Sequence, residues 1–135
     1  MGSGMKILFF FFYALVLLGC NSSQILISEK VDAEELKKRW IHSREEEIDS
    51  IQIYRPADYK EFPPSRYRQV YSFFDDGKCE YLVLAPNDAH YSEDGTWTYN
   101  KESRLLVIFN SSHNVLRELK IISLTKDQLK FVKIK

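Results

Sequence analysis

Glycine, histidine and cysteine are scarce in this chain of 135 residues, which contains five, three and two of them. Few glycines leave little room for phosphate-binding loops, and the sequence has no G-x-S-x-G, H-E-x-x-H or Walker-type motif. The histidines are scattered, and no group of residues has metal-ligand spacing. The sequence therefore predicts no catalytic residue, no metal site and no cofactor, and it favours a protein that is not an enzyme. A pairing of Cys79 with a histidine in the folded chain is the catalytic alternative left open.

An excess of charge of one sign is also missing, because 19 Lys and Arg residues balance 19 Asp and Glu residues. A chain without a basic field has little to attract a phosphate backbone, so no nucleic-acid partner is expected. The one run of like charges, Glu45-Glu46-Glu47, is interpreted as a solvated turn.

The longest apolar run covers residues 7–18, where twelve apolar residues follow Lys6. A membrane span needs roughly 20 such residues, so the run is short for a span but has the length of the core of a secretory signal helix. Residues 1–4 are typical of a tag remnant, with Met5 as the natural start.

The apolar run ends in Leu17-Leu18-Gly19-Cys20, which resembles the lipobox of bacterial lipoproteins. The resemblance implies that the chain is cut before Cys20 and that a diacylglycerol is attached to its sulfur. Two acyl chains are enough for stable anchoring. In that family Asp after the cysteine signals inner-membrane retention in enteric bacteria, and here Asn21 follows. The resemblance thus implies an outer-membrane lipoprotein that faces the periplasm; an uncleaved signal anchor or an ordinary signal peptide is the alternative.

Three segments follow from this interpretation: the tag remnant with signal peptide at residues 1–19, the lipidated cysteine with a tether at 20–30, and a single domain at 31–135. With Cys20 lipidated, Cys79 has no intrachain partner and a disulfide scaffold is excluded. Cys79 alternates with Tyr81 and Val83, so it is expected in the core as a small hydrophobic residue rather than as a reactive thiol. We expect a monomer whose protein partner, if it has one, is not indicated by the sequence.

Short strands dominate the domain after a short helix over 33–38, which Asp32 and Glu35 predict by their capping-box-like spacing. The predicted strands cover residues 39–46, 50–54, 67–74, 78–84, 95–99, 104–109, 115–124 and 129–135. Asp76-Gly77 predicts a type I′ hairpin between the third and fourth strands. Eight strands joined mostly by short loops predict an all-β fold, an eight-stranded antiparallel up-and-down barrel in which successive strands pair.

The domain resembles the small lipocalin-like domains of bacterial lipoproteins over residues 36–135. The resemblance rests on the order of Trp40, the hairpin 73–77, the Gly95-Thr96-Trp97 strand start, and residues 121–125 before Leu129. It departs from lipocalins proper at Lys38, where they carry glycine two residues before the first Trp. The resemblance implies a barrel that binds a small apolar or amphipathic ligand.

Two sets of residues are candidates for function. The first set comprises the aromatic residues expected inside the barrel, which are Trp40, Tyr67, Tyr71, Tyr81, Trp97 and Tyr99. The second set comprises loop residues expected to dock a partner or an anionic head group, which are Arg55, Arg66, Arg68, Asn87, Asp88 and His90. The alternative for the first set is that the aromatic rings simply fill a solid core. The alternative for the second set is ordinary surface charge on the arginines and a capped turn in the loop that contains Asn87, Asp88 and His90. A ligand-binding lipoprotein and a solid barrel that docks another envelope protein therefore both remain open.

Overall fold

The computed structural model describes residues 32–87 and 89–135. The predicted signal helix, Cys20 and the predicted tether, together with Asp88, lie outside the described residues. No helix in the described part of the chain combines the length and the apolar character needed to cross a membrane.

Eight strands and two short 3₁₀ helices, Ala33–Leu36 and Arg44–Glu46, make up the described domain. The strands are β1 Arg39–His42, β2 Ile51–Pro56, β3 Val70–Phe73, β4 Lys78–Leu84, β5 His90–Asn100, β6 Leu105–Asn110, β7 Val115–Thr125 and β8 Gln128–Lys133. They form one closed barrel with the order β1-β2-β8-β7-β6-β5-β4-β3, and all neighbours are antiparallel. The predicted all-β, eight-stranded antiparallel barrel is confirmed.

The pairing departs from the prediction at one place. From β3 to β8 each strand pairs with the next, but β2 and β3 are not neighbours. Instead β1 lies between them, with Trp40 opposite both Pro56 and Tyr71, and β2 closes the barrel against β8. The expectation that all successive strands pair is therefore wrong here. The connection between β2 and β3 is long and includes Pro63 and Pro64, which cannot donate a backbone hydrogen bond to a ladder.

Several predicted boundaries shift for local reasons. The first strand ends at His42, because residues 44–46 form a 3₁₀ helix in which Ser43 Oγ donates to Glu46 Oε2 over 2.7 Å. The fifth strand begins at His90 instead of Gly95, because Ala85 N donates to the carbonyl oxygen of Ala89 over 2.8 Å and closes a tight hairpin. The predicted helix is a 3₁₀ helix over 33–36, capped by Asp32 Oδ1, which accepts from Glu34 N at 3.1 Å.

The hairpin at Asp76-Gly77 is present, but its turn is not type I′. Gly77 has a φ of 76°, whereas Asp76 is not among the residues with positive φ. Phe74 N donates to the carbonyl oxygen of Lys78 over 2.9 Å, which leaves a three-residue loop with glycine in the left-handed position. Asp76 Oδ1 accepts from Lys78 N at 3.1 Å and fixes this turn.

One end of the barrel, which we call the closed end, is filled by side chains. Leu36 seals it and is fully buried, and Trp40 Nε1 donates to the carbonyl oxygen of Leu36 over 3.0 Å. The core comprises Leu36, Trp40, Tyr54, Tyr71, Phe73, Cys79, Tyr81, Leu106, Ile108, Leu119, Ile121, Leu124, Leu129 and Phe131. Cys79 is 2% exposed, so the prediction that it points into the core is confirmed.

Candidate functional site

At the opposite end, which we call the open end, the barrel contains a cleft of about 470 Å³. It lies between β3, β4 and β5 on one side and the start of β7 with the end of β8 on the other. Its lining comprises Tyr67, Gln69, Tyr71, Tyr81, Leu82, Val83, Leu84, Glu93, Leu116, Arg117 and Lys133. This volume falls within the range of small-molecule pockets, roughly 300–1,000 Å³.

Strand alternation places the lining side chains. On one wall Tyr71 pairs with Tyr81, and Tyr81 pairs with Glu93, so the three share the inner face. On the other wall Arg117 lies opposite the fully buried Ile108. Lys133 pairs with the buried Leu119 at the end of β8, and its exposed side chain lies at the edge of the cleft. Charged and aromatic side chains thus meet at one end of an otherwise apolar interior.

Hydrogen bonds hold the aromatic wall in place. The Tyr67 hydroxyl lies 2.5 Å from Gln69 Oε1 and 3.0 Å from the carbonyl oxygen of Leu82, which also accepts from Gln69 Nε2 at 3.1 Å. The Tyr81 hydroxyl donates to Glu93 Oε2 over 3.0 Å. These bonds fix the orientation of two tyrosine rings and one carboxylate at the edge of the cleft.

The electrostatics of the cleft centre on Arg117. Its Nη1 donates to the carbonyl oxygen of Leu116 over 2.8 Å, and its guanidinium lies near the Tyr71 hydroxyl. Burial raises the pKa of Tyr71 to about 12, with Arg117 opposing the shift. Burial, followed by the hydrogen bond to Glu93, raises the pKa of Tyr81 to about 12. Both phenols are therefore neutral near pH 7, and the charges of the cleft are those of Arg117, Lys133 and Glu93.

The aromatic candidates separate into two groups. Tyr67, Tyr71 and Tyr81 lie together in the cleft. Trp40 is fully buried at the closed end. Trp97 packs on Phe73 with ring centroids 5.4 Å apart, and its Nε1 donates to the carbonyl oxygen of Phe74 over 3.2 Å.

Tyr99 belongs with Trp40 and Trp97. It packs against the core, and its buried hydroxyl has no hydrogen-bond partner among the described residues. The structure thus places Trp40, Trp97 and Tyr99 in the solid part of the barrel, as the core-filling alternative expects, and not in the cleft.

Two of the three candidate arginines, Arg55 in β2 and Arg68 on the connection between β2 and β3, are held in ion pairs. Arg55 makes a two-pronged contact with Glu46, with Nη2–Oε1 at 2.6 Å and Nε–Oε2 at 2.8 Å. Arg68 contacts Glu45 with Nη2–Oε1 at 2.5 Å and also donates to the carbonyl oxygen of His42 over 2.7 Å. These arginines stabilise the 3₁₀ helix 44–46 and leave little of their charge for a partner.

The acidic run lies in and directly after the surface 3₁₀ turn 44–46, where Glu45 is exposed, and its carboxylates also make contacts with basic side chains. Glu45, Glu46 and Glu47 each contact a basic side chain, and the partner of Glu47 is His42. The hydrogen bond from Arg68 lowers the pKa of Glu45 to about 2, and the hydrogen bond from Arg55 lowers that of Glu46 to about 2.

The remaining loop candidates take ordinary positions. Arg66 is exposed on the connection between β2 and β3. Asn87 Oδ1 accepts from Ala89 N at 3.2 Å, so Asn87 caps the turn. His90 stands edge-on to Tyr67 with ring centroids 5.6 Å apart, so it joins the rim of the cleft. Asp88 lies outside the described residues.

The polar residues of the cleft were not among the candidates predicted from the sequence; they are Gln69, Glu93, Arg117 and Lys133. For Arg117 a signal was present, because it alternates with Leu119 and Ile121 on the face that becomes the interior. Within residues 32–87 and 89–135 no group of three His, Cys, Asp or Glu side chains is arranged to hold a metal ion.

Comparison with known proteins gives one family. A family model described as a lipocalin-like domain matches residues 36–131, which include every strand except the last two residues of β8. Searches of curated proteins and of solved structures found no match.

Proposed function

Because the chain belongs to the lipocalin-like domain family, we propose that its barrel binds one small apolar or amphipathic molecule in the cleft at the open end. Lipocalin-like domains are generally binding domains without enzymatic activity, and we propose a non-catalytic role here. The observation that carries the proposal is the cleft of about 470 Å³ lined by Tyr67, Tyr71 and Tyr81.

The composition of the cleft suits such a ligand. Tyrosine rings, Val83 and Leu116 supply apolar contact area, while Gln69, Glu93 and Arg117 supply a few polar groups that can orient a bound molecule. Below the cleft Tyr54 and Phe131 are 1% and 0% exposed and fill the interior. The ligand therefore occupies the mouth of the barrel, and its size is limited to what the mouth encloses.

We further propose that Cys20 anchors the protein to the outer membrane, with the barrel in the periplasm. The sequence supports this through the lipobox-like tetrapeptide and through a balanced charge that offers no other attachment to an anionic surface. Cys20→Ala should move the protein from the membrane fraction to the soluble fraction and abolish incorporation of labelled palmitate. An unchanged fractionation of the processed variant would contradict the anchor.

Ligand binding is tested by extraction of the natively purified protein and mass spectrometry of the organic phase. Val83→Trp places a large ring in the cleft, and Ile122→Trp places one on the outer face of β7, where Ile122 is 42% exposed. We expect a co-purified or added apolar molecule in the wild type and in Ile122→Trp, and its loss in Val83→Trp. Absence of any bound molecule in the wild type, or equal binding in all three proteins, would contradict the proposal.

A second function, docking of another envelope protein by a rigid barrel, is favoured by the solid packing of the closed half. In that case Val83→Trp has no effect on function, and cross-linking in whole cells gives a defined adduct. A barrel that forms no adduct and loses its ligand in Val83→Trp would argue against docking.

A further inference from the structure

Arg117 is a partly buried cation that faces the inside of the barrel without a carboxylate partner. Among the residues that the structure describes, no Asp or Glu oxygen lies within the 4.0 Å that defines an ion pair with it. Arg55 and Arg68, by contrast, are each paired with a glutamate. Removing part of the water around a cation costs free energy that an ion pair would offset, so Arg117 is set up to receive an anion from outside the chain.

The donors of Arg117 are only partly used. Its hydrogen-bond partner among the described residues is the carbonyl oxygen of Leu116. A guanidinium has more N–H groups than this one partner occupies, and its planar fork matches a carboxylate, sulfonate or phosphate oxygen pair. The nearby Tyr71 hydroxyl is neutral near pH 7 and does not cancel the charge of Arg117.

The rest of the cleft does not neutralise Arg117 either. Lys133 is a second cation in the lining, and Glu93 is the single carboxylate. The Glu93 carboxylate accepts from the Tyr81 hydroxyl at 3.0 Å on the opposite wall. The cleft therefore has a net positive charge, and a bound anion is favoured over a bound cation.

The position of the apolar contact area fixes the direction in which a ligand enters. Tyr54 and Phe131, whose ring centroids are 5.0 Å apart, are 1% and 0% exposed and fill the interior, so no space is left between them for an apolar tail. At the rim Leu84 is 45% exposed and Tyr91 is 47% exposed, and Tyr91 pairs with the cleft residue Val83. The apolar surface that lacks a cover thus lies above the cation, towards solvent.

We propose that the cleft selects small anionic amphiphiles, that Arg117 binds their acid group at the floor, and that their apolar part lies against Val83, Leu84 and Tyr91 at the rim. This inference rests on the proposed ligand-binding function, because it names the chemical class and the orientation of the ligand in the same cleft.

Calorimetric titration of the full chain with octanoate and with 1-octanol tests the acid-group contact, because the two probes share a chain length and differ in charge. The variants are Arg117→Met, Arg117→Lys and the control Lys120→Met, which removes a cation from the outer face of β7. Octanoate should bind the wild type at least about tenfold more tightly than 1-octanol, as expected for hydrogen bonds to a charged group. Arg117→Met should remove this preference and leave 1-octanol binding within about twofold of the wild type. Arg117→Lys should give an intermediate preference, because it retains the charge without the planar fork.

The outcomes separate the inference from the function on which it rests. The role of Arg117 would be overturned if folded Arg117→Met bound octanoate as tightly as the wild type. It would also be overturned if Lys120→Met lost as much octanoate affinity as Arg117→Met. If 1-octanol still bound and Val83→Trp abolished its binding, the ligand-binding function would stand. No binding of either probe in the millimolar range would overturn both. Thermal melting followed by circular dichroism shows whether Arg117→Met is folded. If Arg117→Met is unfolded, the octanoate affinity of Arg117→Lys tests the role of Arg117 instead.

Discussion

Arg117 and Tyr71 face each other across the open end of the barrel, where the guanidinium from one wall of the cleft lies near the hydroxyl from the other. The phenol is 5% exposed and neutral near pH 7, since burial raises its pKa to about 12. A neutral neighbour does not cancel the charge of the cation. The barrel thus has an apolar core and one positively charged polar site, which lies in the cleft at the open end.

Gly95 marks a close approach of β5 to β6, and replacing it should destabilise the barrel. A Cβ added there would overlap the carbonyl oxygen of Phe109 and lie 3.0 Å from Cε1 of Tyr81. Gly95→Ala should lower the free energy of unfolding by about 1–3 kcal/mol, the usual cost of overpacking a rigid site. Urea unfolding followed by tryptophan fluorescence measures this change. Ser92→Ala, at an exposed position of the same strand, is the control, and equal stability of the two variants would contradict the account.

The ion pair of Glu46 with Arg55 should make stability depend on pH in the acid range. Arg55 lowers the pKa of Glu46 to about 2, so the unfolded state binds the proton more readily than the folded state. The stabilisation is fully present above the unfolded pKa near 4.5 and is lost as the pH falls to about 2. Because the Glu46 side chain is 31% exposed, solvent screening reduces the effect to about 1 kcal/mol.

Glu46→Gln should therefore be less stable than the wild type at pH 7, and its stability should fall less between pH 4.5 and pH 2. Urea titrations across this range give the comparison. Glu61→Gln, at an exposed position of the connection between β2 and β3, should retain the wild-type pH profile. A parallel profile in Glu46→Gln would mean that the pair contributes nothing to folding.

Cys79 should be chemically inert in the folded protein. It is 2% exposed, and burial raises the pKa of its thiol to about 12, so almost no thiolate is present at pH 8. A disulfide reagent such as dithionitrobenzoate should react with it at least about 100-fold more slowly in buffer than in denaturant. Rapid reaction in the native state would show that the thiol is accessible and would reopen a role for it.

Leu36 should contribute strongly to stability, although it lies outside the strands. It is fully buried at the closed end, and its carbonyl oxygen accepts the indole proton of Trp40. Leu36→Ala should cost about 2–4 kcal/mol, because the side chain removed leaves a cavity that the barrel cannot close. Ile122→Ala, on the outer face, should cost less than about 1 kcal/mol. Similar costs at both positions would mean that the first 3₁₀ helix is not part of the core.

The strands were predictable because their side chains alternate with period two and the turns contain Asp-Gly, Asn and Pro. The position of β1 between β2 and β3 could not be predicted, because it depends on the pairing of β2 with β8. In that pairing Ile51 lies opposite Val132, although most of the domain separates the two residues in sequence. The basic partners of Glu45, Glu46 and Glu47 could not be predicted either, because they lie in different elements of the fold.

The cleft was predicted in part. Alternation assigned Tyr81 and Trp97 to the interior, but it does not give the height of a residue along the barrel axis, so the cleft could not be separated from the closed half. Arg117 lies on the same inward face as Leu119, and this signal was available in the sequence. What the sequence did not contain was the Tyr71 hydroxyl opposite it, which is contributed by a strand on the other wall.

Mapping of amide chemical shifts in the isotope-labelled chain during an octanoate titration tests most directly whether the open end is the ligand site. The account predicts saturable shifts concentrated at residues 67–71, 81–84, 91–93 and 116–117, with little change around Leu36 and Trp40 at the closed end. Shifts concentrated instead in the surface hollow lined by Glu35, Lys38 and Pro56, or shifts that never saturate, would contradict it.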